Sequence, residues 1–368
     1  MEKLIGVIHL DGEMDFLKEL TYFRCGAAVP FGSRYRMIDF VLSNMVNSQI
    51  QDIAVFARQK YRSLMDHLGT GKPWDLDRKR GGLFILPPDW NDPTDFSRGD
   101  LQHFHNNRDF FTRGLGEYVL VTGSHHICNI DYRKVFQKHL DSGADVTAIY
   151  QSVSELEPEH CTEKKLELDE DGNVINITTD ATNHHLFMDM YILKKSLLLE
   201  LVDYCIARKK DNLLLDGIIA NLDRLTVASY HYTGYLAVIN SVESYYKHSM
   251  SLLNVDVYTQ LFLNRKPIYT KSKDEPPTKY AKGATTKRSL LANGCVIEGT
   301  VENSILFRGV HVHKDAVVRN SIIMQRCEIQ KGTLLENVIL DKDIIISPDR
   351  TFIGAAENPY IIAKRKVL

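Results

Sequence analysis

From Leu290 onward the chain repeats itself every six residues, and no other feature restricts its fold so tightly. Val317, Ile323, Ile329 and Leu335 stand six apart, as do Val310, Ala316 and Ile322, and then Leu334, Leu340 and Ile346. Short β-rich pieces alternate with Gly294, Gly299, Gly309 and Gly332. A six-residue period places one apolar residue on each side of a triangular coil, and three hexads complete a turn. It therefore predicts a parallel β-solenoid. Glu328 and Thr333 interrupt the apolar columns.

Ahead of the repeat lies a polar, basic stretch, residues 264–289. It carries Pro267, Pro276 and Pro277 among Lys271, Lys273, Lys279, Lys282, Lys287 and Arg288. Proline and charge of this density mark a boundary between domains. Before it, apolar runs that suit buried strands alternate with helical patterns over roughly 230 residues, the signature of a doubly wound α/β domain. Strands are expected at 4–10, 52–57, 118–122, 146–151 and 188–193, with a hairpin at 165–178 around Asp169–Asn173. Helices are expected at 61–68, 131–140, 195–207 and 241–254, the last capped by Ser241. Residues 72–99, rich in Gly, Pro, Asp and Arg, read as a long surface loop. The expected domains are 1–255 (α/β), 256–289 (linker) and 290–368 (solenoid).

Composition excludes several classes. With 368 residues, 44% apolar and 25% charged, the chain suits a globular protein of two domains. A net charge of −2 gives no reason to expect a nucleic-acid or membrane surface. No apolar run approaches about 18 residues and no signal peptide is evident, so a cytoplasmic protein is expected. Cys25, Cys128, Cys161, Cys205, Cys295 and Cys327 form no C-x-x-C pair.

Candidate chemistry is sparse. Residues 24–50 contain a Pro30-Phe31-Gly32-Ser33 turn, then Arg34, Arg36 and Asp39, then a helical run. Taken alone, this is either an anion-binding loop or a salt-bridged one. The first strand leads into Asp11-Gly12-Glu13-Met14-Asp15, whose carboxylates would repel a triphosphate. The strand at 118–122 ends in Gly123-Ser124-His125-His126, at the carboxyl edge where open α/β sheets place their chemistry. On an extended chain neighbouring side chains point opposite ways, so only one of the two histidines is expected to face a site. His103 and His105 do not share a helix face and make no metal pair.

At residues 28–48 the run A-V-P-F-G-S-R-Y-R-M-I-D-F-V-L-S-N-M-V-N-S resembles a motif of the glucose-1-phosphate adenylyltransferase (ADP-glucose pyrophosphorylase) family, A-V-x-F-G-G-x-x-R-x-I-D-F-x-L-S-N-x-x-N-S. Val242-Glu243-Ser244-Tyr245-Tyr246 resembles that family's L-E-A-Y-W helix, and the resemblance runs along nearly the whole chain. It implies a nucleotidyltransferase-like (Rossmann-like) α/β domain followed by a left-handed parallel β-helix of hexapeptide repeats. It also implies a reaction, ATP and glucose 1-phosphate giving ADP-glucose and pyrophosphate with Mg²⁺ held by carboxylates.

The motif residues of that reaction are missing. The family's G-G-x-G-T-R-L loop falls on Asp11, Gly12, Glu13, Met14, Asp15, Phe16 and Leu17, and Phe16 replaces its arginine. Gly26 stands for a lysine, His125 for a metal-binding aspartate, and Val238 for the second one. The family's sugar-phosphate E-K-P becomes Thr179-Asp180-Ala181. The resemblance thus points to the family's regulatory, non-catalytic GlgD type, with no metal and no cofactor. Its partners would be a catalytic subunit in a hetero-oligomer, a tetramer by analogy, together with self-association and a sugar-phosphate or nucleotide effector. Arg24 and Arg36 are the effector candidates. Two other readings stand beside it. One is an active sugar-1-phosphate nucleotidyltransferase with a site rearranged around His125; the other is a hexapeptide acyltransferase using His311 or His313.

Overall fold

The computed structural model describes residues 3–10, 16–88, 99–263 and 266–368. By its contacts the chain divides into two units, one of residues 1–14, 40–236 and 266–269, the other of 15–39, 237–265 and 270–368.

The first unit is built on a nine-stranded mixed sheet. Its strands are β1 (Leu4–His9), β2 (Asp52–Phe56), β3 (Gly82–Leu86), β4 (Tyr118–Thr122), β5 (Val146–Ser152), β6 (Lys165–Leu168), β7 (Val174–Thr178), β8 (His185–Lys194) and β9 (Val227–His231). One half runs β3-β2-β1-β4 and is parallel, with Val7 beside Ala54 on one side and Val121 on the other. Beyond β4 the sheet turns antiparallel through β8, which also pairs with β5. Strands covered on both faces need unbroken apolar runs. Ile5, Val7, Ile8, Val119 and Leu120 meet that need with no exposed surface. Between β1 and β4 the strand order reverses, and such a switch point opens a crevice at the carboxyl edge.

The helix Met37–Asn47 is pinned beside this crevice by polar side chains of the motif at 28–48. Asn44 Nδ2 donates to the Cys128 carbonyl at 3.0 Å, and Ser48 Oγ accepts from the Tyr132 amide at 2.9 Å. These residues identify the fold because they hold it together, independent of any chemistry. The loop expected after the second helix of this unit fails. Residues 72–99 are not one loop: Gly82–Leu86 forms the parallel edge strand β3, which its flanking glycines disguise. Residues 11–15 and 89–98 lie outside the described residues.

The second unit carries the solenoid expected from the hexads, in the left-handed parallel β-helix form that the resemblance implies, as three parallel sheets of five strands each. The central coils, however, are 17 residues rather than three full hexads, against 15 from Thr285 to Thr300 and 22 from Val338 to Tyr360. Val318 stacks on Leu335, and Val317 on Leu334, so the column drawn from Val317 to Leu335 is off by one. The corners explain the count. Residues in the left-handed region recur at Asn303, Asn320 and Asn337, at Gly309, Arg326 and Asp343, and at Asp315, Gly332 and Asp349. Two sides are therefore hexads and the third is a residue shorter.

Asparagine tolerates that backbone better than most residues, and here it also bonds along the stack: Asn303 Nδ2 donates to Asn320 Oδ1 at 2.8 Å. Beside it Ser304 Oγ accepts from the Ser321 amide, and Ser321 Oγ from that of Val338, each at 3.1 Å. Thr333, which seemed to interrupt a column, is fully buried and donates to the Ser347 carbonyl. The first rung is Lys279–Tyr280, earlier than the Leu290 start expected, because its short polar strands show no apolar column.

Candidate functional site

At the carboxyl edge of β4, Thr122 gives way to Gly123 and the chain bends at residues 124–125. Because of that bend His125 and His126 do not point apart as expected of an extended chain. Their rings lie 4.0 Å centre to centre. Both face Glu163, with Nε2–Oε2 distances of 3.8 Å from His125 and 3.6 Å from His126. A β-carbon on Gly123 would come within 3.1 Å of His125 Nδ1 and 3.6 Å of Asp189 Oδ2, so glycine leaves open a space that both groups line. Asp189 enters it from an irregularity in β8 between Phe187 and Met190, with φ at +52°. Its Oδ1 lies 3.3 Å from Lys164 Nζ. Across the crevice His9 Nε2 is 3.9 Å from Asp100 Oδ2, and Asp100 Oδ1 accepts the Leu213 amide.

Burial, reinforced by the charge of His125, pushes His126 down to about 3, so it is a neutral imidazole at any ordinary pH. Burial by itself would raise Asp189, but Lys164, His125, His126 and His9 outweigh it and hold the carboxyl below its usual value. The edge therefore offers neutral imidazole nitrogen and ionised carboxylate side by side.

This donor set does not fit Mg²⁺. Magnesium takes an octahedron of oxygens, whereas here two of three converging groups are imidazoles and Asp189 is engaged by Lys164. Val238, at the second metal position implied by the resemblance, is 1% exposed and has no oxygen to offer.

The remaining sequence candidates are scattered. Asp11, Gly12 and Glu13 lie outside the described residues. Phe16 is exposed. Gly26 opens a short, buried 3₁₀ turn through Ala28. Asp180 is exposed, its carboxylate accepting from the amide and hydroxyl of Thr182, and those hydrogen bonds lower its pKa. Arg24 is 2% exposed, with Nη2 donating to both carboxylate oxygens of Asp341 at 2.6 and 2.7 Å. Arg36 is half-buried, and its amide donates to Asp39. Lys342, beside Asp341, is pushed down to about 6 by burial and then by the charges of Arg36 and Arg24.

Sequence reasoning missed Glu163, Lys164, Asp189, Asp341 and Lys342. Two signals were present: Asp189 breaks the apolar strand L-F-M-D-M-Y-I-L, and Asp341-Lys342 breaks I-L-D-K-D-I-I-I. Glu163 and Lys164 sit in the polar run Thr162-Glu163-Lys164-Lys165, where no pattern singles them out.

A groove of about 1390 Å³ opens at the opposite edge of the first unit's sheet. It is lined by the amino ends of β1 and β2 and by Phe110, Leu115, Phe136 and Leu140. No described helix is long and apolar enough to cross a membrane.

Comparison with known proteins agrees with this architecture. Residues 6–216 match the nucleotidyl transferase family model, and residues 276–359 match a GlmU-like, C-terminal hexapeptide model. The glycogen biosynthesis protein GlgD of Bacillus subtilis is 42% identical, covering 98% of this chain and 96% of its own length. GlgD of Geobacillus stearothermophilus is 45% identical, covering 99% and 97%. The glucose-1-phosphate adenylyltransferase of Thermomicrobium roseum is 36% identical, covering 94% and 82%. With its sheet, its β-helix and the polar pins of its motif helix in place, the chain belongs to the glucose-1-phosphate adenylyltransferase family, among the relatives named GlgD.

Proposed function

We propose that this chain is a non-catalytic, regulatory subunit of bacterial ADP-glucose pyrophosphorylase, acting in glycogen biosynthesis by assembling with a catalytic homologue. The observation that carries the reading is the switch-point edge. Where the reaction needs carboxylate oxygens for Mg²⁺, the chain presents His125 at this edge; Val238, which the resemblance puts at the second metal position, is buried and apolar. Assembly is supported by the ends of the β-helix. Strand edges left open invite pairing, and Tyr280, Ile353, Tyr360 and Val367 are exposed there. Co-expressed with an intact catalytic homologue, the chain is expected to co-elute as a mixed oligomer and to change that enzyme's kcat or effector response. Separate elution with unchanged kinetics would dismiss the reading.

An anionic effector fits the basic cluster of Arg36 and Lys342 best, with Arg24 held in place behind them by Asp341. A phosphate between these groups favours the charged lysine. Since Lys342 titrates near pH 6, it is mostly neutral at pH 8 and must take up a proton on binding. Sugar-phosphate affinity is therefore expected to rise as pH falls from 8 towards 6.5. Calorimetric heats should depend on the ionisation enthalpy of the buffer, and Lys342→Met should abolish that dependence. Heats that are identical across buffers would assign the cluster a structural role.

A further inference from the structure

We propose that His125, His126 and Glu163 bind a divalent transition-metal ion of the zinc class, at the edge where a magnesium-dependent enzyme would hold its metal by aspartate. Ligand atoms about 2.0–2.2 Å from a tetrahedral zinc lie roughly 3.3 Å apart. The two imidazole-to-carboxylate distances, 3.8 and 3.6 Å, exceed that edge by only a few tenths of an ångström. Two imidazoles and one carboxylate with a position left open is a donor set that zinc accepts readily.

Three further observations favour this site. His126 is 4% exposed, and its Nδ1 has no hydrogen-bond partner among the described residues, so an imidazole is held dry beside the carboxylate. His125 directs Nε2 towards Glu163, while its Nδ1 shares the space above Gly123 with Asp189 Oδ2. Asp189, whose carboxyl feels the charge of His125, is thereby the candidate for an outer-shell carboxylate, the kind of group that fixes the tautomer and angle of a ligating histidine. Finally, Glu163 comes from the segment between the Pro158–His160 turn and β6, whereas both histidines follow β4. An ion would tie these distant parts of the chain together across the crevice.

Two other groupings of metal-binding side chains are already committed elsewhere. Glu298, His311 and His313 lie on the outside of the β-helix, where His313 Nε2 is bonded to Glu328 Oε1 at 2.9 Å. In the group of Glu157, Glu159 and His160, Glu157 and His160 form a reciprocal cap on a short turn.

The test uses the full chain, free of any histidine tag and stripped with chelator, titrated with Zn²⁺, with Co²⁺ as a spectroscopic probe, and with Mg²⁺. One equivalent of Zn²⁺ is expected to bind and raise Tm, Co²⁺ to give the intense visible bands of a four-coordinate ion, and Mg²⁺ to do neither. Asp189→Asn should weaken Zn²⁺ by about 10–100-fold, the range for an outer-shell partner, and His125→Gln and Glu163→Gln by more. Circular dichroism checks that each variant folds; Glu163→Gln, on a surface segment, decides the matter if His125→Gln does not. The proposal is overturned if Zn²⁺ does not bind, if Mg²⁺ gives the same response, or if His313→Gln abolishes binding while Glu163→Gln leaves it intact.

Discussion

Replacing Asp341 with alanine is expected to destabilise the second unit by about 3–5 kcal/mol, because it strands a buried guanidinium without its counter-charge. Arg24 and Asp341 are 2% and 1% exposed in their side chains, and both carboxylate oxygens accept from Nη2. The cost arises from desolvation more than from lost attraction, since neither group can recover water while the unit stays folded. The double replacement Arg24→Met with Asp341→Leu removes both charges and should recover most of the loss, as apolar substitutes for buried pairs commonly do. The measurement is the urea midpoint of the transition that reports the β-helix unit. A fall worth less than about 1 kcal/mol would be the behaviour of a solvated pair and would contradict the burial. The same geometry separates two roles for Arg24. Arg24→Ala should lower stability as Asp341→Ala does and, by removing one of the charges that hold Lys342 down, should shrink the buffer-dependent heat, whereas Lys342→Met abolishes it.

The parts of this molecule readable from sequence are those that depend on side-chain pattern along one strand or helix. The runs at 4–9 and 118–122 are apolar at nearly every place because both faces are covered, and they became adjacent parallel strands. Ser241 caps Val242–Ser251 as expected, and Ser244 returns the bond to make the cap reciprocal. What the pattern hid depends on geometry across elements. The coil length followed from left-handed corners, visible in retrospect as Asn303, Asn320 and Asn337 at intervals of 17 but masked by the stronger apolar hexads. His125 and His126 face one carboxylate because of a bend after Gly123 that no two-residue alternation foretells. Asp341 reaches Arg24 from more than 300 positions away, a pairing that no local signal carries.

Given ATP, glucose 1-phosphate and Mg²⁺, the purified chain alone is expected to form no ADP-glucose above background. Loss of one well-aimed donor in a transition state costs about 10²–10³ in rate, and here the losses fall on independent parts of the site. At the two metal positions that the resemblance implies, His125 presents imidazole and Val238 an apolar, buried side chain. Gly26 brings no side chain to the place of a lysine. At the sugar-phosphate position that the resemblance implies, Asp180 brings a carboxylate in place of a lysine, and that carboxylate is already engaged by Thr182. Each loss removes a different charge from the neutralisation that phosphoryl transfer depends on. Restoring one of them, as in His125→Asp, should therefore leave turnover undetectable; only several restored together would raise it. The opposing outcome is equally concrete. If the isolated chain makes ADP-glucose, and His125→Ala abolishes that activity while the fold is retained, the histidine edge is a working active site and the regulatory reading falls.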